Sequence, residues 1–321
     1  MRGARALPLD PLSIPSLTEA DVLEALDRIL PALPGRSLVD VPDRPGVRVW
    51  VLGDTHGDWP TAEAQLKEHV LREGGRDRAI LLGDYVDRTP DTLPQGSLVN
   101  ALYLLSLNAA WPERVQLLRG NHETQRQIPG VLREAHAEAQ ELFGVGTPVG
   151  ERLEDAFGRL PLAASLESGY YLAHAGFPRG AGQSWRQRFE REDEDLLFQV
   201  VWNDVDGSPV AGKRGLPIPP FTGPELEAFL KAAGARQFLR GHDPYLAGQY
   251  RFEGRVLTLH TSRVFDWAGL WVASVPLGSR DVERHPLDLR RVEPAPLPAS
   301  IGQGKKAISR DRTSVGPGQA R

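Results

Sequence analysis

Three apolar segments in the first 120 residues each lead into a glycine flanked by polar residues, and this repeated pattern constrains the fold more than any other feature. The segments are 47–52, 79–82 and 115–118, and their β-branched and leucine content is typical of short buried strands. Helical patterns follow the first two, over about 60–72 and 98–110. Strands alternating with helices predict a parallel sheet whose carboxyl edge, where ligands of open α/β sheets bind, carries all three polar groups.

The remaining elements predict a mixed sheet. Thr18, with Asp21 three residues later, resembles a capping box before a helical pattern that stops at Pro31. Residues 133–159 are also helical in pattern, and we expect the histidines of the helical stretches, His69 and His136, at the surface. Further strands are predicted at 170–173, 237–240, 249–252, 255–259 and 270–275, and the close spacing of the last ones favours antiparallel pairing.

Composition limits the chemistry that the chain can carry. There is no cysteine, which excludes disulfides, zinc–thiolate sites and thiol nucleophiles, so a metal site must use His, Asp, Asn or Glu. The net charge of -4 gives no overall field that would attract nucleic acid. No apolar run approaches the roughly 20 residues that cross a bilayer, and the first residues lack a signal-peptide core. We therefore expect a cytoplasmic protein that binds neither nucleic acid nor a membrane.

Five short motifs carry the polar residues that follow predicted strands. They are 53–57, 83–88, 119–123, 174–176 and 240–242, and their candidate residues are Asp54, His56, Asp84, Asp87, Arg88, Asn121, His122, His174 and His242. Each has a purely structural alternative: Asp54 could cap the following helix, the aspartates of the second motif could form an Asx turn, and the last histidines could be buried and hydrogen-bonded. Taken together, in order and at strand ends, they indicate one shared site of carboxylate and imidazole donors.

The order and residues of these motifs resemble the phosphoprotein phosphatase (PPP) family of Ser/Thr protein phosphatases, within the calcineurin-like metallophosphoesterases. The resemblance runs from about 47 to 265 and includes 201–204, similar to a Trp-Ser-Asp segment, and 213–215, similar to an Arg-Gly segment. It implies an α/β fold with two mixed β-sheets packed together and flanked by helices. We expect an N-terminal helix and connection at 1–45 packed on a catalytic domain at 46–276. A C-terminal extension follows at 277–321, which we expect to be largely disordered from about 294.

The resemblance implies two divalent metal ions, with Mn favoured and Fe or Zn as alternatives. The metal ligands would be Asp54 and His56 for the first ion, Asp84 for both, and Asn121, His174 and His242 for the second. Such ions share a hydroxide that attacks phosphorus in line, without a phosphoenzyme.

The same resemblance assigns the remaining catalytic and binding roles. His122 would be the general acid, oriented by Asp87, while Arg88 and Arg214, with Asn121, would bind the phosphate. His260 stands where the family has phenylalanine, and we expect a structural role or a hydrogen bond to a metal ligand for it, keeping His242 as the ligand. The Ser-Ala-Pro-Asn-Tyr segment that shapes the family's substrate groove is replaced by 261–265.

Three functions remain open at this point. The first is a phosphomonoesterase acting on phosphoserine and phosphothreonine, with phosphotyrosine as a further substrate, in phosphoproteins whose regulatory partner the sequence does not identify. The second is a hydrolase of dinucleoside polyphosphates or another small phosphoester. The third is a non-catalytic scaffold that retains the fold, which is disfavoured because the ligands, the acid and both arginines are all present.

Overall fold

The computed structural model of the protein describes residues 8–124, 133–215, 217–278 and 287–299. Within them, eleven strands form two sheets. The strands are β1 Leu38–Val41, β2 Arg48–Leu52, β3 Arg78–Leu81, β4 Val115–Leu117, β5 Ala163–Leu166, β6 Tyr170–Ala173, β7 Gln237–Arg240, β8 Tyr250–Arg251, β9 Val256–Thr258, β10 Leu270–Pro276 and β11 Asp288–Val292.

Both sheets are mixed, as the resemblance implied. The first has the order β1-β5-β6-β7-β9-β8 and the second the order β11-β10-β2-β3-β4. In the second sheet β2, β3 and β4 are parallel neighbours, while β10 runs antiparallel to β2. In the first sheet β6, β7 and β9 are parallel neighbours and β8 pairs antiparallel with β9.

The described residues also form seven α-helices, the first of which precedes β1. They are α1 Glu19–Ile29, α2 Trp59–His69, α3 Gly96–Ala110, α4 Glu134–Phe143, α5 Val149–Phe157, α6 Glu194–Leu197 and α7 Gly223–Ala233. Two begin at reciprocal capping boxes, Thr18 with Asp21 and Thr222 with Glu225, in which each side chain satisfies a free N–H group of the first turn. None of the helices described is long and apolar enough to span a membrane.

Alternation along β2 shows how the layers are held together. Val49 and Val51 are buried against Leu172, Leu239 and other residues of the first sheet. Trp50 and Leu52 point to the opposite face, where they are buried beneath the helices. Both faces of this strand are therefore covered, which explains its nearly continuous apolar sequence.

Glycines allow close approach at the carboxyl ends of two pairs of strands, β2 with β9 and β3 with β4. A Cβ atom at Gly53 would lie 2.3 Å from the carbonyl oxygen of Leu259, and one at Gly83 would lie 2.4 Å from the amide nitrogen of Gly120. No larger residue fits these contacts unless the backbone moves. The glycines thus allow the polar turns that follow the strands to touch one another.

The predicted fold class is confirmed, and so are the predicted strands, within one or two residues at their ends. Five of the strands and α-helices were not predicted: β1, β5, β11, α6 and α7. The surface assignment of the two helical histidines was wrong. His69 is buried and stacks on Trp50 with ring centroids 3.6 Å apart, and Nε2 of the half-buried His136 lies 3.0 Å from Oε1 of Glu154.

The outer segments of the chain contribute elements to the sheets. In 1–45, α1 contacts α5 and α3, and β1 pairs with β5 in the first sheet. In the expected C-terminal extension, β11 pairs antiparallel with β10 at one edge of the second sheet. The expected disorder from about 294 falls largely on 300–321, which lie outside the described residues.

Candidate metal centre

Asp54 lies at the point where β2 leaves the second sheet and meets the first. It forms an isolated parallel bridge with His260, and the backbone N–H of His242 donates to both of its carboxylate oxygens at 3.0 Å. Asp58, and not Asp54, caps the following helix α2. The helix-cap alternative for Asp54 is therefore excluded, and its buried carboxylate faces the other polar motifs.

Four predicted ligands converge on one point at the junction of the two sheets. Nε2 of His174 lies 2.9 Å from Oδ1 of Asn121, 3.1 Å from Nδ1 of His242 and 3.4 Å from Oδ2 of Asp84. Nδ1 of His242 is also 2.9 Å from Oδ1 of Asn121. Ligand atoms about 2.1 Å from one ion would be separated by about 3.0 to 3.4 Å, so these spacings suit a coordinated cation. We call these four residues the closed group.

The contacts of the two ring nitrogens of His174 support this interpretation. Its Nδ1 lies 3.0 Å from the carbonyl oxygen of Leu82 and donates to it when the ring is neutral. The lone pair of Nε2 then points at the Asn121 carbonyl oxygen, which is itself an acceptor. A cation between them satisfies both lone pairs, as at metal sites where the second ring nitrogen of a histidine donates to a carbonyl.

A second set, the open group, consists of Asp54, His56 and Asp84. Nδ1 of His56 lies 3.0 Å from the carbonyl oxygen of Val86, which directs Nε2 towards Oδ2 of Asp84 at 3.7 Å. Asp84 also belongs to the closed group, so one carboxylate connects the two sets. Donor atoms of His56, Asp84 and His122 lie within 4.8 Å of one another, as do those of Asp84, His174 and His242. Buried His and Asp clusters of this kind are consistent with a dinuclear metal site.

The turns that carry the ligands use unusual backbone conformations. Five non-glycine residues of the site have positive φ: His56 at 41°, Asp84 at 56°, Asp87 at 64°, Arg88 at 55° and His242 at 71°. Such values are uncommon outside glycine and are maintained only where the surroundings fix them.

Glu123 provides part of that fixation. Its buried carboxylate accepts the backbone N–H groups of Asp84 and Tyr85 at 2.8 Å and of Gly120 at 2.9 Å. One side chain thereby joins the second motif to the third and holds Asp84 in place.

Burial and charge set the protonation of the donors. Burial lowers the pKa of His56 to about 3, although the carboxylate of Asp84 opposes the shift. Burial also lowers the pKa of His242, aided by the cationic Arg214. Burial would raise the pKa of Asp84, but His174 and His122 outweigh it and hold that pKa well below its usual range. His56 and His242 are thus held as neutral imidazoles and Asp84 as a carboxylate, which are the metal-binding forms, whereas the carboxylates of Asp84 and Asp54 raise the pKa of His174.

His122 and Asp87 form a hydrogen-bonded pair beside the open group. Nδ1 of His122 lies 2.7 Å from Oδ2 of Asp87, and Oδ1 of Asp87 accepts the backbone N–H of Glu134 at 2.7 Å. Nε2 of His122 lies 3.9 Å from Oδ2 of Asp84. Burial lowers the pKa of His122, but the carboxylates of Asp84 and Asp87 outweigh it and raise the pKa above its ordinary value. The two carboxylates thus favour the protonated form of this imidazole.

The two predicted phosphate-binding arginines differ in their surroundings. Nε of Arg214 donates to Oδ1 of Asp204 at 3.0 Å, and Nη2 donates to the carbonyl oxygen of His242 at 3.4 Å. Arg88 is exposed, and its guanidinium carbon lies 5.9 Å from the centroid of the Phe265 ring.

Both arginines line a cavity of about 380 Å³ above the metal ligands. Its lining residues are Asp54, His56, Asp84, Arg88, Asn121, His122, Trp202, Val210, Arg214, His242, Pro244, Tyr245, Phe265 and Trp267. The cavity brings together every predicted site residue except Asp87 and His174, which lie behind it. The exposed aromatic residues at the mouth of the cavity, Tyr245 and Trp267, were not predicted from the sequence. They stand just after the fifth motif and the 261–265 segment, respectively.

His260 is fully buried next to this centre. Its Nδ1 lies 3.9 Å from Oδ2 of Asp54, and its ring centroid is 5.3 Å from that of Phe265. Neither ring nitrogen makes a hydrogen bond to the residues that the structure describes.

Comparisons with known proteins agree with this geometry. The family described as calcineurin-like phosphoesterase matches residues 47–246. A probable serine/threonine-protein phosphatase of Encephalitozoon cuniculi is 27% identical over 231 residues, which are 68% of this chain and 47% of that protein. The chain spans about half the length of the curated relatives it matches.

Solved structures show the same fold. A serine/threonine phosphatase from Saccharomyces cerevisiae superposes with a TM-score of 0.68 at 21% identity, covering 87% of this chain and 92% of that one. A cold-active protein-tyrosine phosphatase from a psychrophilic Shewanella species superposes with a TM-score of 0.54 at 15% identity, covering 76% and 78%.

Proposed function

The chain belongs to the calcineurin-like phosphoesterase family, and on that premise we propose that it is a metal-dependent phosphoprotein phosphatase. The reaction would be hydrolysis of phosphoserine and phosphothreonine in proteins, with phosphotyrosine as a further substrate. The observation that carries the proposal is the position of Oδ2 of Asp84, 3.4 Å from Nε2 of His174, 3.7 Å from Nε2 of His56 and 3.9 Å from Nε2 of His122. The carboxylate of Asp84 thus belongs to both the open and the closed group and lies next to the imidazole of His122.

The proposed ligands divide as the two groups do. Asp54, His56 and Asp84 would hold one ion, and Asp84, Asn121, His174 and His242 the other. Oxygen and imidazole donors without thiolate suit Mn, which we favour, and also Fe or Zn. Two bound divalent ions would supply an acidified water as nucleophile and stabilise charge on the phosphate oxygens.

His122 would protonate the leaving oxygen. Asp87 accepts from its Nδ1, which fixes the ring and leaves Nε2 as the proton-donating atom at the cavity. The raised pKa of His122 favours the protonated imidazole, which is the form that a general acid requires.

Arg214 and Arg88 would bind the phosphate. Arg214 is pre-oriented by Asp204, so it loses little side-chain entropy when it binds an anion. Arg88 is exposed and has to be ordered by the phosphate itself. Asn121 would contribute to substrate binding from the floor of the cavity.

The relatives favour a protein substrate, since curated proteins that match the chain are named as serine/threonine-protein phosphatases. We also propose that 46–276 is the catalytic domain, that 1–45 packs on it and that 277–321 is an extension. A scaffold function is disfavoured because no predicted ligand, acid or arginine is missing from the site.

Phosphate release by the Mn²⁺-reconstituted enzyme tests the proposal. Phosphoserine, phosphothreonine and phosphotyrosine peptides are compared with diadenosine tetraphosphate, and Asp84→Asn serves as the blank. Peptide turnover that disappears in the blank is expected. Turnover of the dinucleotide alone would indicate that the substrates are small phosphoesters and not proteins. Absence of turnover despite bound metal would favour a scaffold function.

A further inference from the structure

A row of aromatic rings leads from the metal ligands to the cavity mouth. The centroid of Phe265 is 6.2 Å from that of His56, the centroid of Trp267 is 6.0 Å from that of Phe265, and the centroid of Tyr245 is 4.8 Å from that of Trp267. We call Phe265, Trp267 and Tyr245 the aromatic row. Its first ring lies beside the open group and its last two stand in solvent.

The outer rings of the row are unusually exposed. Trp267 is 58% exposed and Tyr245 is 47% exposed. A single exposed aromatic residue needs no explanation, but two that touch each other and line one cavity form an apolar surface that stays exposed among the described residues. Such a surface beside charged groups is typical of a binding site that orients a ligand.

The row is held in place by contacts of its own segments. Asp243 accepts the backbone N–H of Tyr245 at 3.0 Å. The segment that carries Phe265 and Trp267 starts at Arg263, whose guanidinium contacts Asp58 at 2.9 Å and the carbonyl oxygen of Ala295 at 2.8 Å. Rings fixed before binding lose little conformational entropy when a ligand arrives.

Phe265 also adjoins a proposed phosphate-binding group. The guanidinium carbon of Arg88 lies 5.9 Å from its ring centroid, so a phosphate held by Arg88 would bring its alcohol substituent to this ring. An aromatic ring attached directly through the ester oxygen would meet Phe265 at the 4.5–7 Å spacing typical of aromatic pairs. The single methylene of phosphoserine would leave the row unfilled.

We propose that the aromatic row selects phosphoesters of aromatic alcohols, so that phosphotyrosine in a polypeptide is preferred among the substrates of the proposed function. Phe265 packs against the tyrosine ring, and Trp267 and Tyr245 pack against apolar groups of the peptide next to it. This inference rests on the proposed function and specifies the substrate of the same site. According to this inference the enzyme prefers phosphotyrosine to phosphoserine and phosphothreonine. The motif residues alone do not determine this preference.

Peptides of one sequence carrying either phosphotyrosine or phosphoserine test the row. The measured quantity is the ratio of their kcat/KM values, because phenolate leaves more easily than alkoxide in any enzyme and only a change in the ratio reports selection. In Trp267→Ala and Phe265→Leu the ratio falls about tenfold. The control Tyr250→Ala removes another exposed tyrosine, on β8 outside the cavity, and keeps the wild-type ratio. A ratio unchanged in all variants would overturn the proposal.

A binding measurement separates this inference from the proposed function. A peptide carrying a non-hydrolysable phosphonate of tyrosine binds the wild type, and its Kd rises about tenfold in both row variants but not in the control. Absence of turnover with any phosphopeptide would contradict the proposed function, whereas equal Kd values would contradict the row. Loss of binding for adenosine monophosphate but not for the phosphonate peptide would also overturn it, assigning the rings to a nucleoside base.

Discussion

The closed and open groups of the metal centre share Asp84 but differ in how far their donor atoms already converge. In the closed group the measured separations between donor atoms of neighbouring residues are 2.9 to 3.4 Å. In the open group Nε2 of His56 is 3.7 Å from Oδ2 of Asp84. The ring nitrogens of His174 and His260, which are outside this group, stand 3.9 Å from the Asp54 carboxylate oxygens.

The difference follows from where the ligands originate. The closed group takes Asp84 and Asn121 from the ends of β3 and β4 in the second sheet, and His174 and His242 from the ends of β6 and β7 in the first. The packed core between the sheets therefore fixes their relative positions. The open group comes only from the turns after β2 and β3, which are neighbours in one sheet. A site that spans two packed layers is pre-organised, whereas one built on adjacent turns has to tighten around its ion.

The largest expected effect is that of Asp84→Asn, which removes the carboxylate that both groups share. We expect a loss of about a thousandfold in turnover and binding of fewer than two Mn²⁺ ions, because both ions lose a charged ligand. Phosphate release and metal content per chain measure the two losses. Asp77→Asn, at the other end of β3, is the control and should keep both ions. Full activity of Asp84→Asn with two ions bound would show that the groups are independent.

Removing one ligand from each group should separate them. In the wild type we expect two phases of Mn²⁺ binding in calorimetry, the tighter from the closed group. His242→Ala should weaken the tight phase by more than about a hundredfold and spare the weak one, because it removes a direct ligand of one group only. His56→Ala should do the reverse. If either variant abolished both phases, or the wild type showed one, the comparison between the groups would be wrong.

His122→Asn should leave both groups intact and lower turnover by about a hundredfold for a phosphoserine peptide. The loss should be much smaller for nitrophenyl phosphate, whose leaving group needs no proton. Metal content should stay at the wild-type value. Equal losses on the two substrates would argue against the acid role, and loss of metal would make His122 a ligand of the open group.

The smallest effects are expected at the arginines. Lysine cannot bind two phosphate oxygens in the fork geometry of arginine, so Arg214→Lys should raise KM about tenfold. Arg88→Lys should raise it only a few-fold, because Arg88 is exposed and its own side chain is not pre-oriented. Steady-state kinetics at saturating Mn²⁺ measure both. A larger effect at Arg88 would mean that this exposed arginine, and not the half-buried Arg214, contributes more to phosphate binding.

The sequence predicted the elements that carry the site because their signals are local. Apolar strands ending in glycine and aspartate are visible without knowledge of the fold, and the two-sheet architecture came with the resemblance that they carry. The strand β5, with the sequence Ala-Ala-Ser-Leu, lacks β-branched residues and exists because β1 and β6 pair with it. The strand β11 is charged and stands at a sheet edge. For α7, the capping box of Thr222 and Glu225 was a usable signal.

Other features depended on tertiary contacts that no local pattern reports. Trp50 faces the helices, so the histidine on α2 opposite it is buried and not exposed. The distances that separate the closed from the open group come from the packing of the two sheets. The aromatic row joins residues from two segments around 245 and 265, which meet only in the folded chain.

Eight non-glycine residues of the described chain have a left-handed backbone, and five of them carry the chemistry of the metal centre. At each of these five positions glycine would adopt the same backbone with less strain, but it would remove the side chain that the proposed chemistry needs. At these positions the chain therefore keeps a functional side chain at the cost of conformational stability. The left-handed positions of the main chain alone would therefore point to the candidate metal centre.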